Sequence, residues 1–322
     1  MATLKDIAAA CNVSIAAVST AINHPHKISS AVRQKILNKA QELNYFVDKV
    51  LKIQKILLVF DNYKNHFYGE YYNDVIFGIT QRLSEQNLNF RILSDFKLDY
   101  ADIYDYSGII FVGKTPDAFL ELAAKYKIPH VLAGHPNPNF PVPVVYQDSA
   151  NGLKQLLEFV KSCGHKNIAV LNGETNKNDI IWSEFSQTIS TAFIQKNLTF
   201  YQADYSMVQS VQISFTKILQ NKKKTLILCT NDLLAYYVYR VARKYNMRIP
   251  TDISVAGFDG ILIPRFIDEP RPHLTTVVAD RSELGRRSVD LLLQLLKEPK
   301  KTNILNHLPM QIRIGDSVRR LG

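Results

Sequence analysis

The stretch TLKDIAAACNVSIAAVSTAIN, residues 3–23, carries the pattern on which the reading of this 322-residue chain turns. Thr3 with Asp6 three positions later is a helix N-cap signal, and Leu4, Ile7, Ala8 and Cys11 then recur at three- and four-residue spacing along one face. Asn12 tolerates the left-handed backbone that ends a helix abruptly, and Ser14 is placed to cap a second helix that turns Val18 and Ile22 inward. His24 and Pro25 then break the pattern. Ser29 opens a third helix, with Val32, Ile36, Leu37, Ala40 and Leu43 as its apolar stripe. Three short helices with a tight first turn predict a helix-turn-helix unit. The spacing alone also fits a small helical cap on a larger enzyme.

Charge sharpens the first reading. Residues 1–55 hold eight Lys and Arg against three Asp and Glu, while the remaining residues hold 31 against 26, so half of the net +10 sits on about a sixth of the chain. A basic helical segment of this kind favours a polyanionic partner. The composition, 46% hydrophobic and 21% charged, is that of a folded protein, and the length suggests about two globular domains. Cys11, Cys163 and Cys229 are too few and too scattered for a disulfide framework or a metal site, which fits a reducing cytosol. The N-terminus lacks a basic leader followed by an apolar stretch, and no run reaches the length of a membrane span. The expectation is a soluble, unprocessed cytoplasmic protein with no membrane partner.

Beyond residue 55, strand-like runs alternate with amphipathic helical stretches. The runs are ILLVF (56–60), FRIL (90–93), GIIFV (108–112), HVLA (130–133), IAVL (168–171), LILC (226–229) and ISVAGF (253–258). Tyr71, Val75, Ile79 and Leu83 form one helical stripe, and Leu284, Val289, Leu292 and Leu296 another. This alternation predicts an α/β fold of doubly wound parallel sheets, large enough for two similar lobes, with ligands at the C-terminal ends of the strands. No G-x-G-x-x-G follows the first strand, where the sequence is DNYKNHF (61–67), and no Walker loop, G-x-S-x-G elbow or H-E-x-x-H occurs. His24 and His26 share a turn, a setting far more often solvated than metallated. No catalytic residue, metal or cofactor is therefore expected.

The run T-x-x-D-I-A, V-S-x-x-x-V-S, I-N, followed by QELNY (41–45), closely resembles the DNA-binding head of the LacI/GalR (lactose-repressor) family of bacterial transcription factors. The likeness continues through CGHKNIAVLNG (163–173), CTNDLLAYYVYRVARKYNMRIPTDISVAGFDG (229–260), HLTTV (273–277) and RIGDS (313–317). It implies a helix-turn-helix head (1–46), a hinge or linker (47–55), and a two-lobed core (56–322) resembling periplasmic binding proteins. The chain would cross between lobes near 148, 277 and 312. The implied function is a sequence-specific regulator, a homodimeric repressor on double-stranded operator DNA, whose binding a small sugar-like effector modulates.

Residue by residue, the resemblance places Ile15, Ala16 and Thr20 at base edges and Thr3, Ser14, Ser19 and Asn23 along phosphates. The family usually has an arginine at the position of Thr20, so direct readout should be thinner here. The connection is about six residues short. Leu51 or Ile53 could supply the family's minor-groove wedge, or the segment could be plain linker. In the core, Asn231 and Asp259 match effector-contacting positions, with helix capping as the alternative role, and Asp148 matches an aspartate that is as often structural. Tyr63, Phe67, Trp182 and Phe185 could face a sugar ring or simply pack. Phe185 stands where the family has its cleft arginine and Gly260 replaces the second aspartate of a pair. Loss of the arginine favours a neutral sugar over a phosphorylated or carboxylated one. Two rivals remain: a regulator whose pocket no longer answers to a sugar, and a solute-binding protein of the same core fold.

Overall fold

A computed structural model of the chain describes residues 2–23, 27–43, 45, 55–60, 68–94, 103, 106–173, 180–193, 197–204, 207–221, 223–261, 273–298 and 305–321. Its first three helices are α1 (Leu4–Cys11), α2 (Ile15–Asn23) and α3 (Ser30–Glu42). A capping box opens α1: the Thr3 hydroxyl accepts from the Asp6 amide at 3.3 Å, and the Asp6 carboxylate accepts from the Thr3 amide at 2.7 Å. Asn12 ends the helix at φ 54°, as a left-handed cap requires. The three helices bury Ile7, Ala8, Cys11, Val18, Ala21, Ile22, Ile36 and Ala40 against one another. Val32 departs from its expected place on the inner stripe. It is exposed, and neighbouring Arg33 turns inward, where its Nε donates to the Ala21 carbonyl at 3.1 Å and so satisfies an acceptor near the end of α2.

The first lobe is a six-stranded sheet, every neighbouring pair parallel. It comprises β1 (Lys55–Phe60), β2 (Asn89–Leu93), β3 (Gly108–Val112), β4 (His130–Ala133), β5 (Val144–Gln147) and β11 (Leu305–Leu308), ordered β11-β5-β4-β3-β1-β2. Helix α4 (Tyr68–Glu85) and helix α10 (Arg281–Lys297) cover one face, and both expected stripes, Tyr71, Val75, Ile79, Leu83 and Leu284, Val289, Leu292, Leu296, meet there. Helix α5 (Asp117–Lys125) covers the other face with Leu120 and Ala123. The two covering helices touch almost backbone to backbone. A Cβ on Gly285 would fall well inside contact distance of the Val75 carbonyl, and one on Gly78 would strike Ser282.

The second lobe is a four-stranded parallel sheet ordered β7-β6-β8-β9. Its strands are β6 (Ile168–Asn172), β7 (Leu198–Gln202), β8 (Leu226–Cys229) and β9 (Ser254–Ala256). Helices α6 (Ser149–Ser162) and α7 (Ile180–Ala192) pack on one side; α8 (Val208–Gln220) and α9 (Asp232–Lys244) pack on the other. The chain passes from the first sheet to the second after Gln147, back between β10 (Thr276–Ala279) and α10, and over again between β11 and β12 (Met310–Arg313). Strands β10 and β12 pair antiparallel along two of these passages. The final residues then bind the second lobe: Ser317 Oγ donates to the Val255 carbonyl at 2.6 Å, the Arg319 amide donates to Ser254 Oγ at 3.1 Å, and the Leu321 amide donates to the Cys163 carbonyl at 2.8 Å. Buried His165 holds the same tail through Nε2, 3.0 Å from the Arg319 carbonyl.

Candidate DNA-binding and effector sites

Helix α2 presents its first turn to solvent. Ile15 is 47% exposed and Ala16 is exposed, while Val18, Ala21 and Ile22 are committed to the head core. Thr20 and Ser19 are half-buried, on the border between those faces. Ser14 Oγ accepts from the Ala17 amide at 3.0 Å and caps the helix from an exposed position. Thr3 is likewise exposed beside its capping partner, and Asn23 is the last residue of α2. Leu51 and Ile53 in the connection, and Tyr63 and Phe67 after β1, lie outside the described residues.

In the core, Asp259 follows β9 of the second lobe and Tyr71 lies in the first turn of α4 of the first, and both face the Arg281 guanidinium, which donates to the Asp259 carbonyl at 2.9 Å and lies 5.3 Å from the Tyr71 ring centroid. Burial pushes the Asp259 carboxyl up to about 7, partly opposed by the Arg281 guanidinium. Burial also raises the Tyr71 hydroxyl well above the ordinary phenol range, and the Asp259 charge pushes it the same way. Asn231 is buried and caps α9, its Oδ1 accepting from the Leu234 amide at 2.9 Å. Next to it Asp232 is wholly buried, with Oδ1 accepting from the Thr276 hydroxyl at 2.6 Å, and burial lifts its carboxyl well above the usual range. Asp148 caps α6, accepting from the Asn151 amide at 3.1 Å. Helix capping is thus a role that Asn231 and Asp148 both fill, using one side-chain oxygen each.

The aromatic residues behave differently. Phe185 is buried and meets Phe258 edge-on, centroids 5.2 Å apart; Trp182 stacks on Phe185 at 6.1 Å and meets Phe200 edge-on at 6.2 Å. The two rings build the core of the second lobe, the packing role foreseen as their alternative. The helix carrying them spans Ile180–Ala192. Among the described residues no group of three or more His, Cys, Asp or Glu is placed to hold a metal ion. No single described helix is long and apolar enough to cross a membrane.

Residues 3–48 match the family described as "Bacterial regulatory proteins, lacI family", and residues 157–318, about half of the chain, match "Periplasmic binding protein-like domain". The chain belongs to the lacI family. It is a DNA-binding transcriptional regulator with a helix-turn-helix head and a periplasmic-binding-protein-like core. Among its relatives is the "Probable HTH-type transcriptional repressor ExuR" of Bacillus subtilis, 29% identical over 100% of this chain and 99% of that one. Among solved structures, a transcriptional regulator CelR–cellobiose complex is 20% identical with a TM-score of 0.68, covering 98% of this chain and 100% of its own. A lac repressor dimer bound to operator and the anti-inducer ONPF is 21% identical with a TM-score of 0.68, over 99% of each chain. At these identities the structures show the shared fold.

Against that lacI-family frame, sequence reasoning missed Arg281. Its side chain, 11% exposed, donates from Nε and Nη2 to Asp74 Oδ2 at 2.9 and 2.7 Å, and from Nη1 to the Asp259 carbonyl at 2.9 Å. The guanidinium also lies over the Tyr71 ring, 5.3 Å from its centroid. Nothing local in DRSELG (280–285) signals it, because its partner Asp74 is 207 residues away.

Proposed function

We propose that this regulator is a homodimeric repressor that holds operator DNA through two copies of α2, and that a neutral sugar bound between the lobes sets its affinity. It acts in the cytoplasm and has no catalytic step. The division into head (1–46), linker (47–55) and core (56–322) belongs to the same reading. The observation that carries it is the convergence of Asp259 and Tyr71 on Arg281, where residues of two lobes come together beside the half-buried Asp259. There Asp259 and Asn231, with Asp148 at the first lobe passage, are proposed to replace the water lost by the sugar's hydroxyls. Capping occupies one oxygen of Asn231 and leaves its amide nitrogen outside that bond.

The charge of the site supports a neutral ligand. Phe185 occupies the family's arginine position, and the Arg281 guanidinium beside Asp259 is engaged by Asp74 and the Asp259 carbonyl. Dimerisation is supported by Phe77, 61% exposed on the outward face of α4, and by the few base contacts one head offers. Ile15, Ala16 and Thr20 are proposed as base readers; Thr3, Ser14, Ser19 and Asn23 as phosphate contacts; Leu51 or Ile53 as a minor-groove contact. The test is fluorescence anisotropy on an operator found by binding-site selection, titrated with D-ribose, D-glucose, cellobiose and the phosphates of the two monosaccharides. A shift in operator affinity with a neutral sugar alone is expected. Tighter binding of a phosphorylated sugar would overturn the assignment of the ligand.

A further inference from the structure

Arg281 is the first residue of α10, and three elements converge on it. Its Nε and Nη2 share one oxygen of Asp74 on α4, while Nη1 points to the backbone carbonyl of Asp259, in the loop after β9 of the second lobe. A guanidinium is planar, so fixing two of its nitrogens on Asp74 fixes the direction of the third; a lysine ammonium has no such fork. The carbonyl it grips belongs to a residue at φ 92°, a left-handed conformation uncommon for a side chain other than glycine, which persists only where the surroundings hold it. The base of the fork is fixed as well. Ser282 Oγ donates to the Asp74 carbonyl at 3.3 Å, and the glycine contacts described above leave the start of α10 no room to slide on α4.

We infer that Arg281 is a positioning residue, which holds Asp259 in the geometry that receives the effector and ties that loop to α4 through Asp74. The inference rests on the reading of Asp259 as an effector contact. It makes the loop after β9 and the first lobe's outer helix parts of one unit, so that a ligand moving Asp259 also acts on α4. The coupling has a stated physical route: backbone carbonyl, guanidinium, carboxylate, helix.

Three variants test it, Arg281→Gln, Arg281→Lys and Asp74→Asn, the last at a side chain that is 51% exposed and therefore easily replaced without loss of folding. The first measurement needs no ligand. In protein labelled with 13C at the aspartate carboxyls, the Asp259 signal is identified by its absence from Asp259→Asn, and its titration is followed. A midpoint of about 7 is expected in the wild type. It should rise in Arg281→Gln, because the cation that favours the ionised form has gone, and stay nearer the wild-type value in Arg281→Lys. An unchanged midpoint in Arg281→Gln would overturn the placement of Arg281 on Asp259.

The second measurement is calorimetric titration with D-ribose, D-glucose and cellobiose. All three variants should weaken whichever probe the wild type binds by about tenfold, the lysine variant included. Wild-type affinity in both Asp74→Asn and Arg281→Lys would overturn the tie to α4. If the wild type itself bound none of the probes, the neutral-sugar reading would fail, and the carboxyl titration would still decide the positioning role.

Discussion

Thr20 sits at the edge of the exposed face of α2 with one hydroxyl to offer, whereas an arginine there could reach two acceptors of a guanine. Thr20→Arg should therefore change the sequence recovered by binding-site selection more than it changes overall affinity; an identical consensus from both proteins would show that residue 20 reads no base. Asn231 has two proposed tasks that can be separated. Asn231→Ala removes the α9 cap, at about 1 kcal/mol of stability, and the effector contact, at about 1 to 3 kcal/mol of binding. Asn231→Ser keeps a capping oxygen, so it should restore the melting temperature while leaving the sugar affinity reduced. Asp259 carries a pH dependence of definite sign. Its carboxyl titrates near 7 in the folded chain but near 4 when unfolded, so between those values the folded state holds a proton that the unfolded state has released. Its contribution favours folding at low pH and is lost as pH rises through about 7, and buried Asp232 pushes the same way. Asp259→Asn should make the fall in melting temperature from about pH 5 to about pH 8 shallower; the same fall in both proteins would rule out Asp259 as a source.

Elements built from local pattern were legible before the structure. The seven apolar runs became β1, β2, β3, β4, β6, β8 and β9, and the stripes on α4 and α10 face one shared core. Strands that depend on distant partners were not. LNHL of β11 is a largely exposed edge strand recognised only by its pairing with β5, and MQIR of β12, four residues long, is placed by its antiparallel pairing with β10. The same holds within the site: the caps at Asn231 and Asp148 follow from local sequence, while Arg281 gains its role from residues far away in the chain. The α4–α10 crossing gives the sharpest test at this scale. Gly285→Ala would drive a methyl group against the Val75 backbone, which cannot rotate away as a side chain could. The two helices must separate, at a cost of about 1 to 3 kcal/mol. Urea denaturation should show a lower midpoint; an unchanged one would mean that the helices have slack at the crossing.

At the scale of the molecule, a basic head with few two-point base readers should draw much of its affinity from phosphates. Binding should fall steeply with salt, and the preference for operator over random DNA should lie near the lower end of the usual range, about a thousandfold. Sedimentation at micromolar concentration checks the homodimer; a stable monomer that operator DNA fails to pair would exclude it. The three passages between lobes also bear on how the chain is made. Neither half is a continuous stretch: the first sheet waits for α10 and β11, and the second is closed by residues 317–321, which reach back to β9 and His165. On the ribosome, then, the first half stays unfinished until β11 emerges and the second until residues 317–321 do. A nascent chain stalled after Asp280 should expose to protease and chaperone the face of the first sheet that α10 covers, and leave the second lobe without the tail that closes on β9 and His165, whereas the three-helix head, whose core closes within residues 7–40, has every contact it needs from the start.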